Sequence, residues 1–155
     1  MILDRFVHIM SRTDDIINVA GHRLSTGSIE QILISHPSVA ECCVVPLADQ
    51  LKGHVPLGIL VLNRAHEDTK QLIKELIEAT RRDLGAIACF EKAVIVPRLP
   101  KTRSGKVLRK SIREMVDGKP IVVPATIEDE NTLFEIHEIL KQNQLIPFKQ
   151  KASKL

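Results

Sequence analysis

The 155-residue chain is 44% hydrophobic and 26% charged, the proportions of an ordinary globular domain long enough to bury a core. Four Phe with no Tyr or Trp argue against stacking-based recognition of single-stranded nucleic acid, and no apolar run approaches the roughly 20 residues of a membrane span. The net charge of +3 is local, carried by residues 101–113 and 149–154; it suggests a polyanionic ligand rather than a dedicated DNA-binding field.

In chain order, residues 1–10 predict a short strand arriving from elsewhere, too short and wrongly charged for a signal peptide. Ile16-Ile17-Asn18-Val19 and His22-Arg23-Leu24 flank Ala20-Gly21, which predicts a small hairpin with glycine supplying the positive φ. Ser25 or Thr26 can cap a helix with Ile29, Ile32 and Leu33 on its apolar face, ended by Pro37. Val39–Leu47 and Pro56–Leu62 read as strands around the polar, Gly53-containing loop 49–54. Thr69–Leu84 is the clearest helix: Leu72, Ile73, Leu76, Ile77, Thr80 and Leu84 share one side and Gly85 follows at the C-cap. Lys92–Pro97 predicts a third core strand.

The stretch 97–113, Pro-Arg-Leu-Pro-Lys-Thr-Arg-Ser-Gly-Lys-Val-Leu-Arg-Lys-Ser-Ile-Arg, organises the rest. Two prolines hold its approach extended, and Gly105 allows a sharp bend or the close approach of a ligand. A helix then starts, with Leu108, Ile112 and Met115 at helical spacing and Lys106, Arg109, Lys110 and Arg113 on the other face. Lys106 stands at the hinge of loop and helix, where a flexible cation can be aimed at an oxyanion. The stretch is not a Walker A loop, because Pro100 and Val107 occupy positions where that loop needs glycine and Ser or Thr. A solvated basic helix face is the plainer reading of these residues alone.

After residue 118 a linker leads to a last helix over 130–142, with Leu133, Ile136, His137 and Leu140 on one face. Residues 143–155 form a polar, basic tail without predicted structure, ending in Ser153-Lys154-Leu155, a peroxisomal address pattern. Sheet and helices alternate, so the expected class is α+β: a small three-stranded sheet packed with helices, plus a separate two-stranded hairpin. Cys42, Cys43 and Cys89 read as reduced packing residues. The six histidines show no metal-ligand spacing, and no metal site is expected.

Residues 11–30, Ser-Arg-Thr-Asp-Asp-Ile-Ile-Asn-Val-Ala-Gly-His-Arg-Leu-Ser-Thr-Gly-Ser-Ile-Glu, together with Leu-Pro-Lys-Thr-Arg-Ser-Gly-Lys at 99–106, resemble the C-terminal domain of the adenylate-forming superfamily. The closest resemblance is to AMP-forming short-chain acyl-CoA synthetases, the acetyl-CoA and propionyl-CoA synthetase group, over roughly residues 5 to 118. It implies residues 1–13 as the end of a preceding domain and linker strand, 14–118 as the mobile C-terminal domain of the synthetase, and 119–155 as a C-terminal linker, helix and disordered tail. The large N-terminal adenylation domain of such enzymes has no counterpart in these residues, so a fragment or a product lacking that domain is expected, inactive alone.

The resemblance implies a ligase of two steps. A short-chain carboxylate and ATP give an acyl-adenylate and pyrophosphate, then coenzyme A takes the acyl group, the small domain rotating between steps. By position, Lys106 matches the lysine of the adenylation step and Asp14 the hinge. Arg12 and Arg23 match nucleotide-binding arginines, and Gly21, His22 and Arg81 match coenzyme A-binding positions. ATP and coenzyme A are expected as substrates, with Mg2+ held outside this chain. The expected partner is the N-terminal domain, with no nucleic acid and no membrane, in mitochondrial matrix or cytosol. The alternative is a non-catalytic polyanion-binding module using the basic helix 106–113. It explains Lys106 to Arg113 but leaves the motif from Arg12 to Arg23 without a purpose.

Overall fold

A computed structural model describes residues 15–64 and 68–147; Arg12, Asp14, the first predicted strand and the Ser153-Lys154-Leu155 terminus lie outside them. Strands β1 (Ile16–Val19) and β2 (His22–Ser25) pair antiparallel, Ile16 opposite Ser25 and Val19 opposite His22. That register leaves only Ala20 and Gly21 as the loop. Both take positive φ, 48° and 83°, the twist that a two-residue hairpin turn requires. Glycine was expected to supply this alone; Ala20 shares it.

Helix α1 (Thr26–Ile34) follows at once, with Ile29 and Leu33 fully buried. Ser25 occupies the N-cap position but its side chain makes no capping bond, so the expected cap is not formed. β3 (Val39–Asp49) and β4 (Gly53–Leu62) form the long antiparallel ladder of the sheet, with a bulge between Val39 and Glu41. Both strands are apolar almost throughout because both of their faces are covered. Cys43, Val45, Leu47, Val55, Leu57 and Ile59 point to one core, and Val44 and Leu60 to the other.

Helix α2 (Thr69–Leu84) carries the chain across to β5 (Lys92–Ile95), which runs parallel to β4 with Leu57 opposite Lys92. Asp68 caps α2 by accepting the Gln71 N–H, and the Gly85 N–H closes its end on the Arg81 carbonyl. α1 and α2 cover one face of the sheet through Ile29, Leu33, Leu72 and Leu76. The other face is covered by α3 (Arg109–Val116) and α4 (Asn131–Gln142), through Ile112, Met115, Leu133, Ile136 and Leu140. Each of these fully buried aliphatic side chains contributes about 1.5–3 kcal/mol by leaving water.

The class is α+β, as expected, but the hairpin is not separate. Val19 pairs with Gly53 and the Ala20 N–H donates to the Lys52 carbonyl at 2.9 Å, giving one five-stranded sheet in the order β2-β1-β4-β3 with β5 also on β4. α3 starts at Arg109 rather than beside Lys106, because residues 101–107 form a hairpin of their own. α4 supplies the floor of one core through Leu133, Ile136 and Leu140.

Candidate functional site

Lys106 sits on the returning arm of a short, closely bonded loop, opposite Thr102. Lys101 and Val107 bridge antiparallel, the Thr102 N–H donates to the Lys106 carbonyl at 2.8 Å, and the Gly105 N–H donates to the Thr102 carbonyl at 2.8 Å. The Lys106 N–H reaches the Thr102 hydroxyl at 3.1 Å. Gly105 takes φ +89°, and a Cβ there would meet nothing within 4 Å; within this chain the glycine serves the turn, not a close approach. A third segment lines the outer side: Thr102 bridges to Ile127, the Arg103 N–H donates to the Thr126 carbonyl at 3.1 Å, and the Glu128 N–H to the Lys101 carbonyl at 2.9 Å.

Two ion pairs root this loop in the body. Lys101 Nζ meets Glu41 at the start of β3. Arg109 grips Glu30 of α1 with both arms of its fork, Nη1 on Oε1 and Nη2 on Oε2, the latter at 2.7 Å. Glu30 Oε1 also accepts the Val44 N–H at 2.9 Å. Glu30's hydrogen bonds hold the Arg109 guanidinium proton more tightly than usual. The Lys106 side chain is exposed, and no hydrogen bond or ion pair ties its ammonium to another described residue.

The other candidate residues lie at the opposite end of the sheet. Gly21, His22 and Arg23 are exposed on the hairpin, whose turn touches Lys52 where β4 begins. Arg81 is exposed on the last turn of α2, which leads into β5 opposite Leu57 and so faces the same end. The Lys106 loop instead follows the end of β5, where Glu41 pairs with Val61. From Gly53 to Val61 is about 25 Å along the strand at the usual rise. The fold brings Gly21, His22 and Arg23 together, sets Arg81 toward them, and keeps Lys106 apart.

The basic helix face is less free than its spacing implied. Arg109 is committed to Glu30, and Lys110 reaches Glu114 at 3.9 Å. A groove of about 570 Å³ between β3 and α3 mixes Arg109, Lys110, Arg113 and Lys119 with Asp15, Glu114 and Asp117, a lining of both signs rather than a uniformly basic one. Burial pushes the Cys43 thiol up to about 12 and Cys42 up to about 11, which favours the protonated thiol in both. Among the described residues no three His, Cys, Asp or Glu side chains are grouped to hold a metal ion.

Sequence reasoning missed Glu30, Glu41 and the segment 126–128. Glu30 lies 79 residues before Arg109, and no spacing links them. The one local signal was Glu30's place beside Ile29 on a helix whose other side is core.

The molecule is an α+β domain with a lysine loop toward one end of its sheet and an exposed glycine turn toward the other. Residues 28–106 match the family described as AMP-binding enzyme C-terminal domain. The chain is 51% identical over 132 residues to "Acyl-CoA synthetase short-chain family member B, mitochondrial" of Dictyostelium discoideum, covering 84% of this chain and 19% of that protein. It is 47% identical over 138 residues to "Acyl-CoA synthetase short-chain family member 3, mitochondrial" of Pongo abelii, covering 88% and 20%. Among solved structures, the Brucella canis acyl-CoA synthetase superposes with a TM-score of 0.62 at 33% identity, over 67% of this chain and 19% of that one. The chain belongs to the AMP-binding enzyme C-terminal domain family. It spans about a fifth of the length of these relatives.

Proposed function

We propose that this chain is the C-terminal lid of an ATP-dependent, AMP-forming short-chain acyl-CoA ligase, acting with an N-terminal adenylation domain on acetate or propionate. In the first step a carboxylate oxygen attacks the α-phosphorus of ATP and pyrophosphate leaves. Lys106 would place its ammonium beside the reacting carboxylate and α-phosphate, where negative charge concentrates. In the second, the coenzyme A sulfur attacks the acyl carbon, its proton passes to solvent, and AMP leaves. Gly21 would give the pantetheine arm bare backbone to pass, with His22 beside it and Arg81 toward the nucleotide end. Arg23, with Arg12, would meet nucleotide phosphate or ribose, and Asp14 would be the hinge. The Mg2+ that travels with ATP is expected on the companion domain.

The observation that carries this reading is the separation of the two ends. The loop and the turn are anchored toward opposite ends of β4, the loop through Glu41, which lies opposite Val61, and the turn through Val19, which lies opposite Gly53; a rotation that presents each in turn gives both a purpose. The alternative of a polyanion-binding module loses support because Arg109 and Lys110 are already paired with carboxylates. Both relatives are named as mitochondrial, which favours the matrix for this chain over cytosol or peroxisome.

The test is Lys106→Ala in the full-length ligase. Acetate- or propionate-dependent pyrophosphate exchange should fall by about 100-fold or more, while acyl transfer from a supplied acyl-adenylate to coenzyme A continues. Equal loss of both half-reactions would make Lys106 structural and overturn the reading.

A further inference from the structure

We propose that the Glu30–Arg109 ion pair is a positioning device that aims Lys106; the inference rests on the function proposed above. Only Val107 and Leu108 separate Lys106 from Arg109, and neither has freedom to spare. Val107 is bridged to Lys101, and the Leu108 N–H donates to the Pro100 carbonyl at 2.8 Å. A displacement at Arg109 is therefore passed directly to the loop that carries the ammonium.

Arg109 is the first residue of α3, and its fork is set against a rigid mount. Glu30 follows Ile29 and precedes Leu33, both fully buried, and its side chain is only 15% exposed. Its Oε1 is also fixed by the Val44 N–H of β3. One carboxylate thus ties α1, β3 and the start of α3 to one another. Simple adhesion of α3 does not need it, because Ile112, Met115 and Val116 already bury that helix on the sheet. Those contacts begin at Ile112, three residues further along. The fork adds a side-chain anchor at the very head of the helix, the end nearest Lys106. A bidentate guanidinium fixes direction as well as distance, which a lysine in its place would not.

The consequence is a division of labour. The backbone of 101–109 is fixed by the Val107 bridge, by the flanking segment 126–128 and by the Glu30 fork, while the Lys106 side chain is exposed and has no partner among the described residues. Glu30 and Arg109 touch no substrate; they act through the lysine.

The experiment compares Glu30→Gln and Arg109→Lys with Lys106→Ala in the full-length ligase. Glu30→Gln keeps an acceptor for the Val44 N–H, and Arg109→Lys keeps the charge without the fork. Each should lower kcat for pyrophosphate exchange about 10- to 100-fold, the effect of a displacement near 1 Å. Transfer from a supplied acyl-adenylate should stay within about twofold. Hydrogen exchange at the Thr102, Gly105 and Lys106 amides should quicken, and exchange in the β3–β4 ladder should not. Parallel loss of both half-reactions with a lowered melting temperature would make the pair mere adhesion and overturn the proposal. So would unchanged pyrophosphate exchange in both variants while Lys106→Ala abolishes it. If Lys106→Ala itself leaves pyrophosphate exchange intact, the proposed function fails, and this inference with it.

Discussion

The two ends of the sheet are built on different principles. Around Lys106 three chain segments lie side by side and two ion pairs anchor them to α1 and β3. The Gly21 turn is held more lightly: among the described residues no ion pair anchors it, and a Cβ added there would meet no atom within 4 Å, as at Gly105. One backbone pairing and one hydrogen bond join that turn to the sheet, and its neighbour Leu51 is 94% exposed. In the proposed function the contrast is a requirement. An ammonium must be aimed, so its backbone is held on every side. A surface past which a flexible arm slides must be empty, so it is left bare.

The strongest way to break this comparison is through α4. Ile136 is fully buried against the core beneath the Lys106 loop, and the segment that flanks the loop runs into α4. Ile136→Ala should cost about 2–5 kcal/mol, a large part of the stability of an ordinary domain. Hydrogen exchange should quicken over 101–107 well before it does over 16–25. If both ends loosen together, the bracing is a property of the whole body and not of the lysine end.

A smaller effect, on one half-reaction, is expected at the bare end. In the full-length ligase Gly21→Leu should leave pyrophosphate exchange near normal and lower acyl transfer to coenzyme A by about 100-fold, a steric obstruction of the second step. The competing cause is strain, because φ is +83° and a non-glycine residue there costs about 1–2 kcal/mol. Strain would lower the melting temperature and weaken both half-reactions. Assaying both on one preparation separates the causes, and parallel loss would reduce Gly21 to a turn residue.

Much of this contrast was legible in the residues and some was not. The hairpin, α2 and its Gly85 stop follow from local rules, so Ala20-Gly21 and the apolar period of 72–84 revealed them. The joining of that hairpin to β4 was not legible, since Val19 and Gly53 lie far apart in sequence. The same holds for the lysine loop. Gly105 and the two prolines announced a turn, but its bracing comes from Glu30, Glu41 and residues 126–128, all distant along the chain. The i, i+3, i+4, i+7 rhythm of Lys106 to Arg113 misled for a physical reason. Spacing reports which residues share a face, and an arginine at the border of that face can turn inward to a carboxylate that no local pattern reveals.

The smallest effect sharpens the comparison at its bare end. The hairpin rests on the β3–β4 turn, and one carboxylate shapes that turn: Asp49 accepts the Lys52 N–H at 2.8 Å and the Leu51 N–H at 2.9 Å. Those backbone bonds, Lys52 first, hold the Asp49 carboxyl below the usual aspartate range. A carboxylate with a lowered native pKa stabilises the fold at pH above its unfolded value, and the contribution fades as pH falls through the native one. Asp49→Asn should therefore lower the unfolding midpoint slightly at neutral pH, and the two curves should converge as pH falls through the lowered native pKa. The group is exposed, so the shift is small; its place is the more telling readout. The Ala20 amide, which donates to the Lys52 carbonyl, should exchange faster in the variant while the Thr102 and Lys106 amides do not change. A difference that persists unchanged at the acid end would mean that the charge of Asp49 is irrelevant to the turn. A response at the lysine loop would mean that the two ends are coupled through β4, and that the bare end is held less independently than its geometry indicates.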